Sequence, residues 1–335
     1  MNDFQNTMPL ASIIMSCYNG CSYIERAFHS ILSQTYPAIE LVFVDDGSTD
    51  DSYEVAISYK KQFEQRGYKL CMYKQENQGL GFACINMIAH ATGKYLSYLD
   101  VDDEIPPTSI EKKVLVLEEN KATNVVRTNA YKKYTHEGRK VLLVQTDEEK
   151  QTDNLFDRLL LGKVTNYAGT YMVRTETIRN FYKGRNIPQS RYGQNLQLLL
   201  PTTYKSNSLF IDEPLFIYNI HQGSHSEQKE TTRKIELLQG YEEIRYRMMD
   251  LFDDDFTQLK KDIHKVFVGK ILDTILTSEY TENISKKKVL FNQYYHEYLK
   301  TGGSSIEYKM HHAILNGSAM RYYYRLMLAI SNFLK

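Results

Sequence analysis

Four short apolar runs punctuate the first hundred residues, at 10–16, 41–46, 69–74 and 94–99. Each has strand length and is bounded by polar residues or glycine, which predicts four strands. Between the first two runs, Ile24, Ala27, Phe28, Ile31 and Leu32 recur at the spacing of one helix face. Ser22 followed by Glu25 has capping-box spacing and predicts the start of that helix. Gly47 breaks the second run, and Ser48 or Thr49 is placed to cap a following helix. The first turn of that helix carries Asp50 and Asp51, the sign its dipole favours. A further helix fits 82–91, closed by Gly93. This alternation predicts a parallel sheet covered by helices on both faces. In such sheets ligands sit outside the carboxyl ends of the strands.

Beyond Pro106-Pro107 the pattern becomes less regular. It predicts a helix over 109–119, more polar strands over 125–134 and 141–144, and a strand over 171–174. A helix over 194–200 and strands over 209–211 and 215–220 follow. After Ser226 the strand signals stop. The rest is helical in period, rich in Lys and Tyr, and interrupted at 253–255, 282–285 and 302–305. The expected organisation is two halves of one α/β domain, 1–105 and 106–226, then a helical region over 227–335.

Composition narrows the class without naming an activity. Apolar residues make up 42% and charged residues 24%, the balance of a soluble globular chain. Lys+Arg and Asp+Glu stand at 41 each, so no global field draws the chain to nucleic acid, and any anionic ligand must meet a local site. Cys17, Cys21, Cys71 and Cys84 have no metal-ligand or framework spacing, which predicts free thiols in a reducing, cytoplasmic compartment. No basic head precedes an apolar core, and no run of about 20 apolar residues occurs, so neither a signal peptide nor a membrane span is expected.

The predicted strand ends carry the candidate chemistry. They read Ser16-Cys17-Tyr18-Asn19-Gly20, Asp45-Asp46-Gly47-Ser48, Asn77-Gln78-Gly79-Leu80-Gly81 and Asp100-Val101-Asp102-Asp103. Three carboxylates in four residues repel one another unless protons or a cation relieve them. Mg²⁺ or Mn²⁺ suits that role, using one or two carboxylates and completing its shell with water and substrate phosphates. The plain alternative is an acidic loop that caps the helix after Pro107. An aromatic at the first strand end can stack on a base, and an Asp at the second can accept a base N–H. Gly79-Leu80-Gly81 is not a dinucleotide fingerprint, because Cys84 stands where the third glycine belongs and the motif does not follow the first strand.

Taken in order, these segments resemble the family-2 inverting glycosyltransferases, which include hyaluronan and chitin synthases and many bacterial capsule and lipopolysaccharide transferases. The resemblance is carried by Ser12-Ile13-Ile14-Met15-Ser16-Cys17-Tyr18-Asn19, by Ser30-Ile31-Leu32-Ser33-Gln34-Thr35-Tyr36-Pro37, and by Val44-Asp45-Asp46-Gly47-Ser48-Thr49-Asp50-Asp51-Ser52. Asn77-x-Gly79, Gly93-Lys94-Tyr95 and Asp100-x-Asp102-Asp103 complete it. It implies a GT-A fold, a mainly parallel α/β sheet with flanking helices, followed here by a helical region. It implies a nucleotide-sugar site formed by Ser16, Tyr18, Asn19, Asp46, Asn77, Gly79, Asp100 and Val101. Ser16 and Tyr18 would hold the base, Asp46 would accept the uracil N–H, and Asp100 would meet the ribose or the metal. Asp102 would ligate Mn²⁺ or Mg²⁺ on the diphosphate of a UDP-sugar, and in some members a His from the late loop joins it, here His225. The implied reaction is inverting, metal-dependent transfer to a glycan, glycolipid or glycoprotein in bacterial surface polysaccharide synthesis.

Two positions depart from the family pattern. Where many members carry a Glu-Asp pair whose Asp is the base, this chain carries Gln194-Asn195, and an amide does not accept a proton at neutral pH. Gln194 and Asn195 are therefore expected to orient the acceptor, with the base elsewhere. Alternatively the chain is a non-catalytic GT-A module that binds nucleotide or glycan and serves assembly. Cys84-x-Asn86 stands where an Arg often precedes the Asn, leaving the diphosphate to the metal and to Arg or Lys from other loops. In residues 318–335, Arg321, Arg325, Asn332 and Lys335 fall near one helical face. That pattern fits a helix on the anionic inner face of the membrane; the alternative is a packing helix that closes the domain or forms a homodimer.

Overall fold

The computed structural model describes residues 8–143, 146–221, 230–278 and 284–317. The chain runs β1 (Ala11–Cys17), α1 (Cys21–Leu32), β2 (Ile39–Asp45), α2 (Ser52–Ser58), α3 (Lys60–Arg66), β3 (Lys69–Lys74), α4 (Leu80–His90) and β4 (Tyr95–Tyr98). It continues with α5 (Ser109–Glu119), β5 (Val125–Tyr134), β6 (Arg139–Leu143), α6 (Asp147–Lys150), α7 (Leu155–Leu160), β7 (Tyr171–Arg174), α8 (Thr175–Tyr182), α9 (Gln194–Thr203) and β8 (Leu209–Ile220). Four helices follow: α10 (Thr231–Met249), α11 (Thr257–Thr277), α12 (Ile284–Lys300) and α13 (Ile306–Asn316).

The parallel strands lie in the order β3-β2-β1-β4, and β7 then joins β4 antiparallel. β5 pairs antiparallel with β7 and β6 and parallel with β8. The result is the expected mixed, mainly parallel sheet with flanking helices and a helical C-terminal region. β1, β2 and β4 are buried at every residue, as strands covered on both faces must be. On one face α1 turns Ile24, Ala27, Phe28 and Ile31 inward. Phe28 meets Phe43, Tyr59 and Phe63 edge-on, with ring centroids 5.7, 5.4 and 5.4 Å away.

Three local expectations are corrected. Ser22 does not cap α1, which begins one residue earlier behind Gly20. The N–H groups of Gly20 and Cys21 donate instead to Ser52 Oγ (3.0 Å) and Asp50 Oδ2 (3.1 Å), side chains from beyond β2. Ser48 and Thr49 do not cap α2 either, because both bond to Asn19. The apolar runs at 209–211 and 215–220 form one strand, β8. Its register with β5 shifts beside Pro214, which has no N–H for the ladder.

α9 runs on through Pro201 to Thr203. The carbonyl four residues earlier, on Gln197, loses its helical donor there and accepts from the Tyr182 hydroxyl at 2.8 Å.

The described residues form two compact units. One holds those up to residue 226 together with Arg247–Phe252, and the other holds Glu227–Tyr246 with those from Asp253 onward. In the first, Phe252 packs among Phe156, Phe181 and Tyr204, with centroids 5.0, 4.7 and 4.5 Å away. In the second, Val268, Ile271, Leu272, Ile275, Phe291 and Leu315 form the core. Buried Lys287 donates to the carbonyls of Leu276 and Ser278, completing the end of α11. Among the described residues no helix is long and apolar enough to cross a membrane. Val144, His225 and residues 318–335 lie outside the described residues.

Candidate nucleotide-sugar site

β1, β2 and β3 end level with one another, Cys17 opposite Asp45 and Asp45 opposite Lys74. β4 stops at Tyr98, after Tyr98 has paired with Ile14, so residues 99–103 climb beside the exit of β1. The strand order reverses between β1 and β4, which opens a crevice at this edge.

At the first exit Tyr18 is 53% exposed, an aromatic ring left open to the crevice. Asn19 takes a positive φ of 50°, and its side chain explains why. Its N–H donates to Ser48 Oγ at 3.0 Å and its Oδ1 accepts from the Thr49 N–H at 2.8 Å, stitching the first turn to the second. Asp46 is buried and ties the second turn to the third. Its Oδ1 accepts from Gln75 Nε2 (2.7 Å) and the Gln78 N–H (3.0 Å), and its Oδ2 from the Gly79 N–H (2.9 Å). Gly47 has φ +74°, and a Cβ there would lie 2.7 Å from the Asn77 nitrogen. Asn77 is thus packed through its backbone while the residue as a whole stays exposed. Across Gly79 lies Arg191, whose Cγ would be 3.1 Å from a Cβ on that glycine. Ser16 lies deeper, its hydroxyl 3.0 Å from that of Tyr98.

The acidic loop is gripped from two sides. Arg26 of α1 donates to the Asp102 carbonyl at 2.5 Å, and Asn219 of β8 donates to the same oxygen at 3.0 Å. The Asn219 N–H reaches Asp103 Oδ1 at 2.8 Å, and Val101 leans on the Gly20 turn. Asp102 Oδ2 lies 3.0 Å from Nε2 of His221, the residue directly after β8. Burial and the Asp102 charge push the Asp100 carboxyl up to about 7, against a hydrogen bond from Tyr98. Burial, Asp102 and Asp100 drive Asp103 well above the usual carboxylate range, against the Asn219 N–H and Arg26.

Crowding that holds carboxyls in their protonated form is what a cation would relieve, by favouring their ionised form. Among the described residues no three His, Cys, Asp or Glu side chains converge as a complete metal cage. Asp102 and His221 form an oxygen–nitrogen pair that fits Mn²⁺, and the carboxylates fit Mg²⁺, with water and phosphate supplying the rest.

Gln194 and Asn195 open α9, directly after Gly193 at φ +76°. Asn195 Oδ1 accepts from the Tyr171 hydroxyl at 2.5 Å, and the Gln194 carbonyl lies 3.8 Å from Cys84 Sγ. Burial raises the Tyr171 hydroxyl well above its ordinary range, and the charges of Cys84 and Asp100 add to it. The start of α9 is thus packed on β7 and α4 through Tyr171 and Cys84. The structure brings Ser16, Tyr18, Asn19, Asp46, Asn77, Gly79, Asp100, Val101 and Asp102 together at the strand exits. His221, Tyr23, Arg26 and Arg191 escaped the sequence reading. His221 shares the loop in which His225 was singled out, and what marks it is the register that sets Ile220 opposite Tyr134.

The family model described as glycosyl transferase family 2 matches residues 12–182, just over half of the chain. An uncharacterized glycosyltransferase of Rickettsia typhi is 34% identical over 152 residues, 45% of this chain and 46% of that protein. TuaG of Bacillus subtilis, named as a teichuronic acid biosynthesis glycosyltransferase, is 36% identical over 109 residues, 32% of this chain and 42% of its own. The match thus spans less than half the length of these two relatives. Among solved structures, Staphylococcus aureus TarS 1–349 in complex with UDP-GlcNAc aligns with TM-score 0.55 at 15% identity, covering 93% of this chain and 92% of that one. The mannosyltransferase PcManGT of Pyrobaculum calidifontis, in complex with GDP-Man and Mn²⁺, aligns with TM-score 0.55 at 13% identity, covering 96% and 88%. At these identities the structural likeness establishes the GT-A fold, and the family follows from the sequence match: the chain belongs to glycosyl transferase family 2.

Proposed function

We propose that the chain transfers a sugar from a UDP-sugar to a saccharide, lipid-linked or protein-linked glycan, with inversion and with the help of Mn²⁺ or Mg²⁺. The observation that carries this reading is the crowded acidic loop standing beside the exposed Tyr18 ring where the strand order reverses. Nucleotide sugars in the TarS and PcManGT complexes support the donor class, and Mn²⁺ in the latter supports the metal. TuaG, by its name, supports a place in surface polysaccharide assembly. In this reading the chain works in the cytoplasm, with residues 318–335 serving as a membrane contact or a dimer contact.

Each residue then has a task. Tyr18 stacks on the base, and Asp46 keeps a lone pair on Oδ2 for the base N–H while it locks the Gly79 turn. Asp102 and His221 hold the metal, with Asp100 on the ribose or the metal. A divalent cation at that place supplies Lewis-acid neutralisation of the charge that develops on the departing diphosphate. Arg191, exposed over Gly79, adds a fixed cation at the mouth of the crevice. Gln194 and Asn195 hold acceptor hydroxyls without taking their proton, which leaves by another base.

The same two amides favour a second reading, a GT-A module that binds donor or glycan without turnover. Mn²⁺-dependent UDP release from a panel of UDP-sugars, with acceptor present, separates the two. Turnover that Asp102→Ala abolishes at unchanged melting temperature is expected. Tight binding with no release supports the second reading, and full activity in Asp102→Ala places the metal elsewhere.

A further inference from the structure

One turn of α1 is engaged with this site more closely than helix packing requires. Tyr23 and Arg26, three residues apart, both reach it. Arg26 holds the Asp102 carbonyl, and its guanidinium carbon lies 5.8 Å from the Tyr23 ring centroid. The Tyr23 ring stacks on the His221 imidazole, with centroids 4.7 Å apart and planes 28° from parallel. Its hydroxyl oxygen is 3.2 Å from His221 Nδ1, while Nε2 on the other side of the ring faces Asp102.

From these contacts we infer that Tyr23 is a positioning residue for the metal site: it fixes the His221 ring with Nε2 turned to Asp102 and sustains the tautomer that lets Nε2 bind a cation. A neutral imidazole carries one N–H. In the tautomer with the proton on Nε2, that N–H donates to Asp102 and Nδ1 accepts from the Tyr23 hydroxyl. Once Nε2 gives its lone pair to a cation, the proton must reside on Nδ1, and the Tyr23 oxygen accepts it. A phenol serves both arrangements because it donates and accepts; a carboxylate or a carbonyl would serve only the second. The Nε2 proton would pass to solvent while Nδ1 takes the Tyr23 hydroxyl proton and the phenol is reprotonated from solvent, so the net charge of ring and phenol would be unchanged. Outer partners of this kind typically alter metal affinity 10–100-fold.

The inference rests on the metal site proposed above. Its test is Mn²⁺ binding to the full chain with saturating UDP, followed by the free-ion paramagnetic resonance signal. Tyr23→Phe keeps the stacked ring and loses the hydroxyl. It is expected to weaken Mn²⁺ binding by about tenfold or more, with UDP binding in the absence of metal unchanged. In a His221→Ala background the same change is expected to have no further effect, since Tyr23 acts through that ring. Equal Mn²⁺ affinity of wild type and Tyr23→Phe overturns the role of Tyr23 and leaves the metal site standing. An undiminished effect in the His221→Ala background also overturns it, because the hydroxyl would then act on the fold at large. Wild type that takes up no Mn²⁺ with UDP overturns the metal site and this inference together.

Discussion

Lys113 is fully buried in α5, and its Nζ donates to the Gly169 carbonyl at 2.5 Å. Burial lowers its pKa to about 7, whereas an unfolded chain leaves a lysine near its ordinary ~10.4. Between those values the unfolded chain binds more protons, so this residue makes stability rise with pH across that window and lowers it most at neutral pH and below. Lys113→Met should stabilise the protein at pH 7 by on the order of 2 kcal/mol, after allowing for the lost hydrogen bond. The gap in melting temperature between variant and wild type should close towards pH 10. A gap independent of pH would show that Lys113 is not held neutral by burial. At the site itself, Tyr18→Ala should raise the donor KM about tenfold with little change in kcat, because a base-stacking ring contributes ~1–3 kcal/mol. A changed kcat at constant KM would take Tyr18 out of the base site. Crowding of carboxylates at residues 100–103 was legible in the sequence because like charges in adjacent positions repel in any fold. His221 was not, since its role depends on strand register, a property of two segments about ninety positions apart.

The elements themselves were largely legible, and their ends were not. β3, α5, β5 and β7 occupy the stretches that periodicity assigns to them. Apolar spacing reports the face an element buries, which is a local property. Caps need partners, and here the partners are remote. The start of α1 is satisfied by Asp50 and Ser52, about thirty residues downstream, so the Ser22 and Glu25 signal had nothing left to do. The opening of α4 shows a similar dependence. A Cβ on Gly81 would lie 2.1 Å from the Ser190 carbonyl oxygen, so the segment carrying Arg191 rests on that glycine. Gly81→Ala should cost about 1–3 kcal/mol and push that segment away from the crevice. Calorimetric titration with UDP should then give a several-fold weaker affinity. Undiminished binding would mean that Arg191 takes no part in holding the donor.

For the whole molecule, α10 is shared: most of it counts with the second unit, while its last residues, Arg247–Met249, count with the first together with the chain on to Phe252. Nothing in the composition of that helix announces the change, because Met248 and Met249 read as ordinary apolar positions of a continuing period. Phe252 is 8% exposed within its aromatic pocket, and Phe252→Ala should cost about 3 kcal/mol in urea unfolding. A chain ending at residue 226 should melt lower than one ending at 252, and equal melting would show the pocket to be dispensable. The arrangement also sets an order of events on the ribosome. Domains of most chains are finished one after another as they emerge. Here the aromatic cluster of Phe156, Phe181 and Tyr204 lacks its Phe252 partner until residue 252 has cleared the exit tunnel, and by then residues 231–246, which count with the other unit, are already outside. The two halves of this protein mature interleaved, and a pause in translation just before Arg247 would leave the aromatic pocket exposed to whatever chaperone is at hand.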